Sequence, residues 1–104
     1  MDILSKEQQC YYSEVDMPTL IMRAKLEKSW EHWVAAYDAH KTAREEVGMK
    51  DIYRGHSADD TTTIHVVAWT PSMQVLEEFM QANANVIKDA GHIPESTKIT
   101  VCSD

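Results

Sequence analysis

An α+β fold in the order β-α-β-β-α-β is what this chain predicts, and three features predict it. Two apolar stripes at helical spacing each begin after a serine and stop at a glycine, and the same interval separates Ser29 from Gly48 and Ser72 from Gly91. Between them runs Thr61-Thr62-Thr63-Ile64-His65-Val66-Val67-Ala68-Trp69, β-branched and aromatic, with an acidic turn before it and Pro71-Ser72 after it. Segments of alternating side chains flank both stripes, which places strands around each helix.

The first strand, Pro18 to Glu27, sets Leu20, Met22, Ala24 and Leu26 on one face and Ile21, Arg23 and Lys25 on the other. Ser29 then caps a helix by accepting an orphan N–H of its first turn. The inner stripe of that helix carries Trp33, Ala36, Tyr37, His40, Ala43 and Val47, and Gly48 ends it in a left-handed conformation. Lys50 to Ser57 reads as the second strand. Ala58-Asp59-Asp60-Thr61 reads as a four-residue turn, because the Asn-Gly or Asp-Gly pair of a two-residue hairpin is missing.

After the third strand, Ser72 caps a helix with the stripe Val75, Leu76, Phe79, Met80, Asn83, Val86, Ile87 and Ala90, closed by Gly91. A connection from His92 to Ser96 leads to a short last strand, Thr97 to Cys102. Laid on one another, the helices match Trp33 with Leu76, Tyr37 with Met80, His40 with Asn83 and Val47 with Ala90. Two such halves make a ferredoxin-like sandwich, a four-stranded antiparallel sheet with two helices on one face. Right-handed crossovers put the first and third strands in its centre. Residues 1–17 read as an N-terminal arm ahead of a domain spanning 18–104.

A sheet covered on one side should be polar on the other. The third strand is apolar on both faces, and the first carries Leu20-Ile21-Met22 in succession. The uncovered face therefore expects a partner, and a second copy of the chain is the simplest one. Ten Lys and Arg against 17 Asp and Glu give a net charge of −7, which argues against nucleic-acid and anionic-membrane partners. The longest apolar run, Val66 to Trp69, is too short to span a bilayer. The opening Met1-Asp2-Ile3-Leu4 stretch has no basic or apolar signal region, so a cytoplasmic location is expected. Cys10 and Cys102 match no metal or redox spacing and read as free thiols. The five histidines lack metal-ligand spacing, and neither a phosphate loop nor a nucleophile elbow is present, so no cofactor is expected.

Pairing the second and third strands about the acidic turn sets Arg54 opposite His65, His56 opposite Thr63 and Ile52 opposite Val67. Opposed residues share a face. One face then gathers Arg54, His56, His65 and Trp69, the other Tyr53, Gly55, Ile64, Val66 and Ala68, and a one-residue change in the turn reverses this. The first group reads as a pocket wall, with Trp69 apolar and His65 and Arg54 polar, or as an interior histidine beside a solvated arginine. His40 and Asn83 form a second candidate. An unpaired buried polar group costs roughly 1–3 kcal/mol, so each needs the other, a water or a ligand. Tyr37, His40, Phe79, Met80 and Asn83 against the sheet would line a pocket; a helix–helix hydrogen bond at the core edge is the plainer alternative. Arg23 and Lys25 on a central strand read as carboxylate anchors or as cross-dimer ion pairs.

The element order over residues 18–102 resembles the dimeric α+β barrel superfamily, as does the passage Trp69-Thr70-Pro71-Ser72-Met73-Gln74-Val75-Leu76-Glu77-Glu78-Phe79. Members include antibiotic-biosynthesis-type monooxygenases, haem-degrading enzymes and lactone isomerases, unrelated chemistries on one fold. The haem-degrading members carry a tryptophan and an axial histidine on the second helix and an asparagine on the first strand. Aligned on Ser72 and Gln74, those helix positions hold Phe79 and Asp89, and the first strand has no asparagine. The resemblance therefore implies no haem.

The resulting expectation is a homodimer that binds a small, largely apolar molecule between sheet and helices. A fatty-acid-like or aromatic carboxylate fits, with its polar end on His65, Arg54 or Arg23. The alternative is a cofactor-independent monooxygenase or isomerase, with His65 or His40 as general base and Trp69 or Tyr37 positioning the substrate. A third reading is an interaction module filled by its own side chains.

Overall fold

The computed structural model describes residues 18–103, so the expected arm of residues 1–17, Cys10 included, lies outside the described residues. Eight elements follow in order: β1 (Thr19–Leu26), α1 (Trp30–Ala39), α2 (Lys41–Glu46), β2 (Lys50–Ser57), β3 (Asp60–Trp69), α3 (Met73–Ala82), α4 (Ala84–Asp89) and β4 (His92–Cys102). The strands form one antiparallel sheet in the order β2-β3-β1-β4, with β1 and β3 central as expected. No helix among the described residues is long and apolar enough to cross a membrane.

The β1–β3 ladder opposes Leu20 to Ala68, Met22 to Val66 and Ala24 to Ile64, so these side chains share one face. Trp33 and Ala90 pack on part of that face, and Leu76 and Met80 on another part, giving two core clusters under one layer of helices. Ile64 is wholly buried. Both helical stretches begin as the serines dictate: Ser29 Oγ accepts the His32 N–H at 3.1 Å, and Ser72 Oγ accepts the Val75 N–H at 3.1 Å. Gly91 follows α4 with φ +99°, a conformation open to glycine and strained for other residues.

The helices differ from expectation in one respect: neither is continuous. The first breaks at His40 (φ −95°, ψ 8°) and the second at Asn83 (φ −112°, ψ 19°), the positions matched by overlaying the two halves. There the side chains bond to each other, His40 Nε2 to Asn83 Oδ1 at 3.0 Å. Val47 and Val86, inner residues of a continuous helix, are 40% and 39% exposed.

The β2–β3 turn also departs from expectation. Ser57 pairs with Asp60, leaving Ala58 and Asp59 as the turn in place of a four-residue loop. Asp60 organises it without a glycine: its carboxylate accepts from the Thr62 N–H at 2.9 Å, the Thr62 and Thr63 hydroxyls at 2.6 and 2.7 Å, and Lys25 Nζ at 2.8 Å. Lys25 first, then the threonines, hold this carboxyl well below its ordinary range. Irregularities between Asp51 and Tyr53 and between His56 and Ser57 then shift the pairing, opposing Tyr53 to Val67, Arg54 to Val66, Gly55 to His65 and His56 to Ile64. Arg54 and His56 therefore lie on the helix-covered face. His65, Val67 and Trp69 lie on the open one, so the expected gathering of Arg54, His56, His65 and Trp69 does not form.

The last strand starts at His92, earlier than the expected Thr97, and absorbs the presumed connection through a bulge. The ladder passes from Arg23–Lys98 to Lys25–Ile93. Ser96 Oγ bridges the gap by accepting the Lys25 N–H at 2.8 Å and donating to the Ile93 carbonyl at 2.6 Å. Pro94 has no N–H to give a ladder and sits within this edge-strand bulge.

Ile64→Ala should lower unfolding free energy by roughly 2–5 kcal/mol, since the side chain has no exposed surface from which the site could relax. Urea denaturation checks this, with an unchanged slope expected.

Candidate functional site

A cavity of about 110 Å³ lies between the sheet and the helical layer. Leu20, Met22, Val66 and Ala68, inward side chains of β1 and β3, form its floor. Trp33, Ala36, Tyr37 and His40 wall it from the first helical half, and Leu76, Phe79 and Met80 from the second. Trp33 belongs to one core cluster and Leu76 and Met80 to the other, so the cavity is the seam between them. Three thioethers, Met22, Met49 and Met80, are part of its surface.

Four polar side chains interrupt this apolar lining: Tyr37, His40, Arg44 and His92. Tyr37 stacks on Trp33 at 4.8 Å between ring centroids, and the Arg44 guanidinium covers the Tyr37 ring at 3.7 Å. Arg44 is buried and makes a two-point ion pair with Asp51, Nε to Oδ1 at 2.9 Å and Nη2 to Oδ2 at 2.8 Å. The Tyr37 hydroxyl donates to the same Oδ1 at 3.3 Å. Burial pushes Tyr37 from 10.0 up to about 12; nearby Arg44 opposes the shift and Asp51 adds to it. The phenol is therefore neutral at physiological pH, and the cation beside it is already matched by an anion.

On the opposite helical half, the Asn83 amide Nδ2 donates to the Phe79 carbonyl at 2.9 Å, while its Oδ1 meets His40 Nε2. The His40 ring stands edge-on to Phe79, 6.3 Å between centroids. His92 is buried and bonds through Nε2 to Thr97 Oγ1 at 2.6 Å; burial pushes its imidazole below the ordinary value.

Of the residues singled out from sequence, the structure brings Tyr37, His40 and Phe79 to the cavity and bonds Asn83 to His40. The other four lie elsewhere. Arg54 pairs with Asp38 through bonds of 2.7 and 2.8 Å at the surface. His65 is on the open face, its Nε2 bonded to Ser57 Oγ at 2.8 Å. Trp69 lies on that face with the Lys50 ammonium 5.2 Å from its ring centroid. Arg23 sits exposed between His65 and Lys98. The β2 bulges account for Arg54, and strand alternation for the other three. Sequence reasoning missed Arg44, Asp51 and His92. Arg44 follows Tyr37 by seven residues and so shares its helical face, the one sequence signal that points to it.

Comparison with solved structures gives the fold independently. The chain superimposes on a protein from Nitrosomonas europaea assigned as an antibiotic biosynthesis monooxygenase, with a TM-score of 0.63 and 14% identity over 89% of this chain and 94% of that one. It also superimposes on SnoaB, a cofactor-independent oxygenase from Streptomyces nogalater (TM-score 0.64, 7% identity, 86% and 94% covered). A third match, from Caulobacter crescentus and likewise assigned as an antibiotic biosynthesis monooxygenase, has a TM-score of 0.61 at 14% identity over 94% and 97%. At such identities the likeness shows the fold alone. No curated protein matches the chain in sequence.

Two measurements test the site's electrostatics. Asp51→Ala strands a buried guanidinium and should cost about 3–5 kcal/mol in urea unfolding, against about 1 kcal/mol for Tyr37→Phe. For His92, the unfolded chain takes up a proton near 6.5 while the fold resists it, so stability is lost as pH falls below that value. Melting temperature measured between pH 7.5 and 5 should decline, and part of the decline should vanish in His92→Gln.

Residues 17–104 match the family described as a domain of unknown function, DUF3764, and the chain belongs to that family.

Proposed function

We propose that this chain is a small-molecule-binding protein acting as a homodimer, with its ligand in the cavity between sheet and helices. The observation that carries this reading is the cavity itself, an apolar space that divides the core into two clusters and is edged by a few fixed polar groups. A well-packed domain leaves few voids larger than a water. A cavity of 110 Å³ is somewhat smaller than the roughly 150 Å³ engineered void that takes up benzene. The ligand is therefore on the scale of one ring or a short chain, well below the 300–1,000 Å³ of drug-sized sites.

The polar end of such a ligand belongs at His40, since Arg23, Arg54 and His65 are outside the cavity and Arg44 is neutralised by Asp51. A second reading, a cofactor-independent oxygenase or isomerase, draws on the same histidine as a base and on the fold shared with SnoaB. The dimer reading draws on the open face. There Ile21, Val67 and Tyr53 stand side by side across three strands, with Ile21 46% and Tyr53 55% exposed.

Toluene at about 100 times its dissociation constant should raise stability by roughly 2.7 kcal/mol, read as a shift in melting temperature. Ala36→Leu, which fills the space, should abolish that shift; a protein indifferent to toluene, or a shift that survives the filling, would sink the ligand site. Light scattering should report twice the 11.9 kDa chain mass, and Val67→Glu should halve it.

A further inference from the structure

We propose that the cavity selects an uncharged, hydroxyl-bearing apolar ligand, with His40 Nδ1 accepting a hydrogen bond from the ligand's hydroxyl and Asn83 fixing the imidazole in the form that leaves Nδ1 unprotonated. The inference rests on the cavity being a ligand site and adds to it the ligand's charge and polar group.

The chain of bonds has only one consistent direction. The Phe79 carbonyl can only accept, so the Asn83 Nδ2 must face it, at 2.9 Å. That turns Oδ1, also only an acceptor, toward His40 Nε2 at 3.0 Å. Nε2 must then carry the proton. In the neutral ring the remaining nitrogen, Nδ1, is a lone-pair acceptor, and it has no hydrogen-bond partner among the described residues, although the ring borders the cavity. The other polar lining groups are committed differently. The Tyr37 hydroxyl and the Arg44 guanidinium both donate to Asp51. His92 Nε2 meets a hydroxyl, which can donate or accept, and so its tautomer is not fixed by its partner.

An acceptor edge in an apolar space, with no unmatched cation in its lining, disfavours a carboxylate. The anion would lose its hydration and face a lone pair. An alcohol supplies the missing donor. The carboxylate expected from sequence is therefore replaced by its neutral counterpart, and Asn83 is a positioning residue acting through His40.

The test uses the whole chain, ¹⁵N-histidine labelling and three ring-sized probes: toluene, benzyl alcohol and benzoate. At a pH where the ring is neutral, the pyridine-type ¹⁵N resonance of His40 should belong to Nδ1, and benzyl alcohol but not toluene should move it. Benzyl alcohol should bind about tenfold more tightly than benzoate, the scale of one hydrogen bond. Asn83→Ala should mix the two tautomers and narrow that ratio, while His92→Gln should leave it intact. An unprotonated Nε2 in the wild type, equal or tighter benzoate binding, or selectivity that follows His92 would each overturn the proposal. If toluene binds as well as benzyl alcohol, the cavity reading stands and the hydroxyl recognition falls; if no probe binds, both fall.

Discussion

Strict alternation of side chains along the two central strands is the constraint on which the rest of the molecule depends. β3 is apolar on both faces and β1 carries Leu20-Ile21-Met22 in succession, so alternation alone leaves open which face of β3 the helices cover. Their mutual register settles the matter for both at once, because opposed residues point the same way. Leu20, Met22 and Ala24 go inward with Ala68, Val66 and Ile64, and Ile21 and Arg23 go outward with Val67 and His65. A slip of one residue in one strand would bury a histidine under the helices and expose the isoleucine that now has no solvent contact. Leu20, Met22, Val66 and Ala68 of the inward set floor the cavity; the outward set stands on the open face, where Ile21 is exposed.

The features legible in sequence are those that depend on local periodicity. Serine caps, glycine stops and the two-residue alternation of β1 and β3 are each decided within a few neighbouring residues, and all appear where the sequence places them. Features decided by a single extra residue were not legible. The β2 bulge near Ile52 moves Arg54 across the sheet, and nothing in Lys50-Asp51-Ile52-Tyr53 marks it, since a bulge needs no particular residue type there. Asp60 shows the same limit from another side. Four hydrogen bonds to its carboxylate substitute for the glycine that a tight hairpin usually advertises.

The candidate site was half legible, and the reason lies in the helix breaks. His40 and Asn83 stand out as polar residues at matched points of two apolar stripes, which marks them as a pair. The break they sit on leaves no periodic signature, because helical spacing continues on either side. Arg44 and Asp51 come from different elements, and nothing in either stretch marks the other as its ion-pair partner. Desolvating such an ion pair costs much of what its attraction returns, so its effect is less on stability than on arrangement. It holds the Tyr37 ring under a guanidinium and keeps the cavity electrically quiet.

The three thioethers in the lining bear on how firmly the site's outline is set. Met22, Met49 and Met80 are unbranched, with three rotatable bonds each, and their sulfur atoms are polarisable. A wall built from such side chains adapts by changing rotamers, without moving the strands and helices behind it. If the cavity takes a ligand as proposed, guests of somewhat different contour can be met by one backbone, and discrimination falls to the few rigid polar contacts.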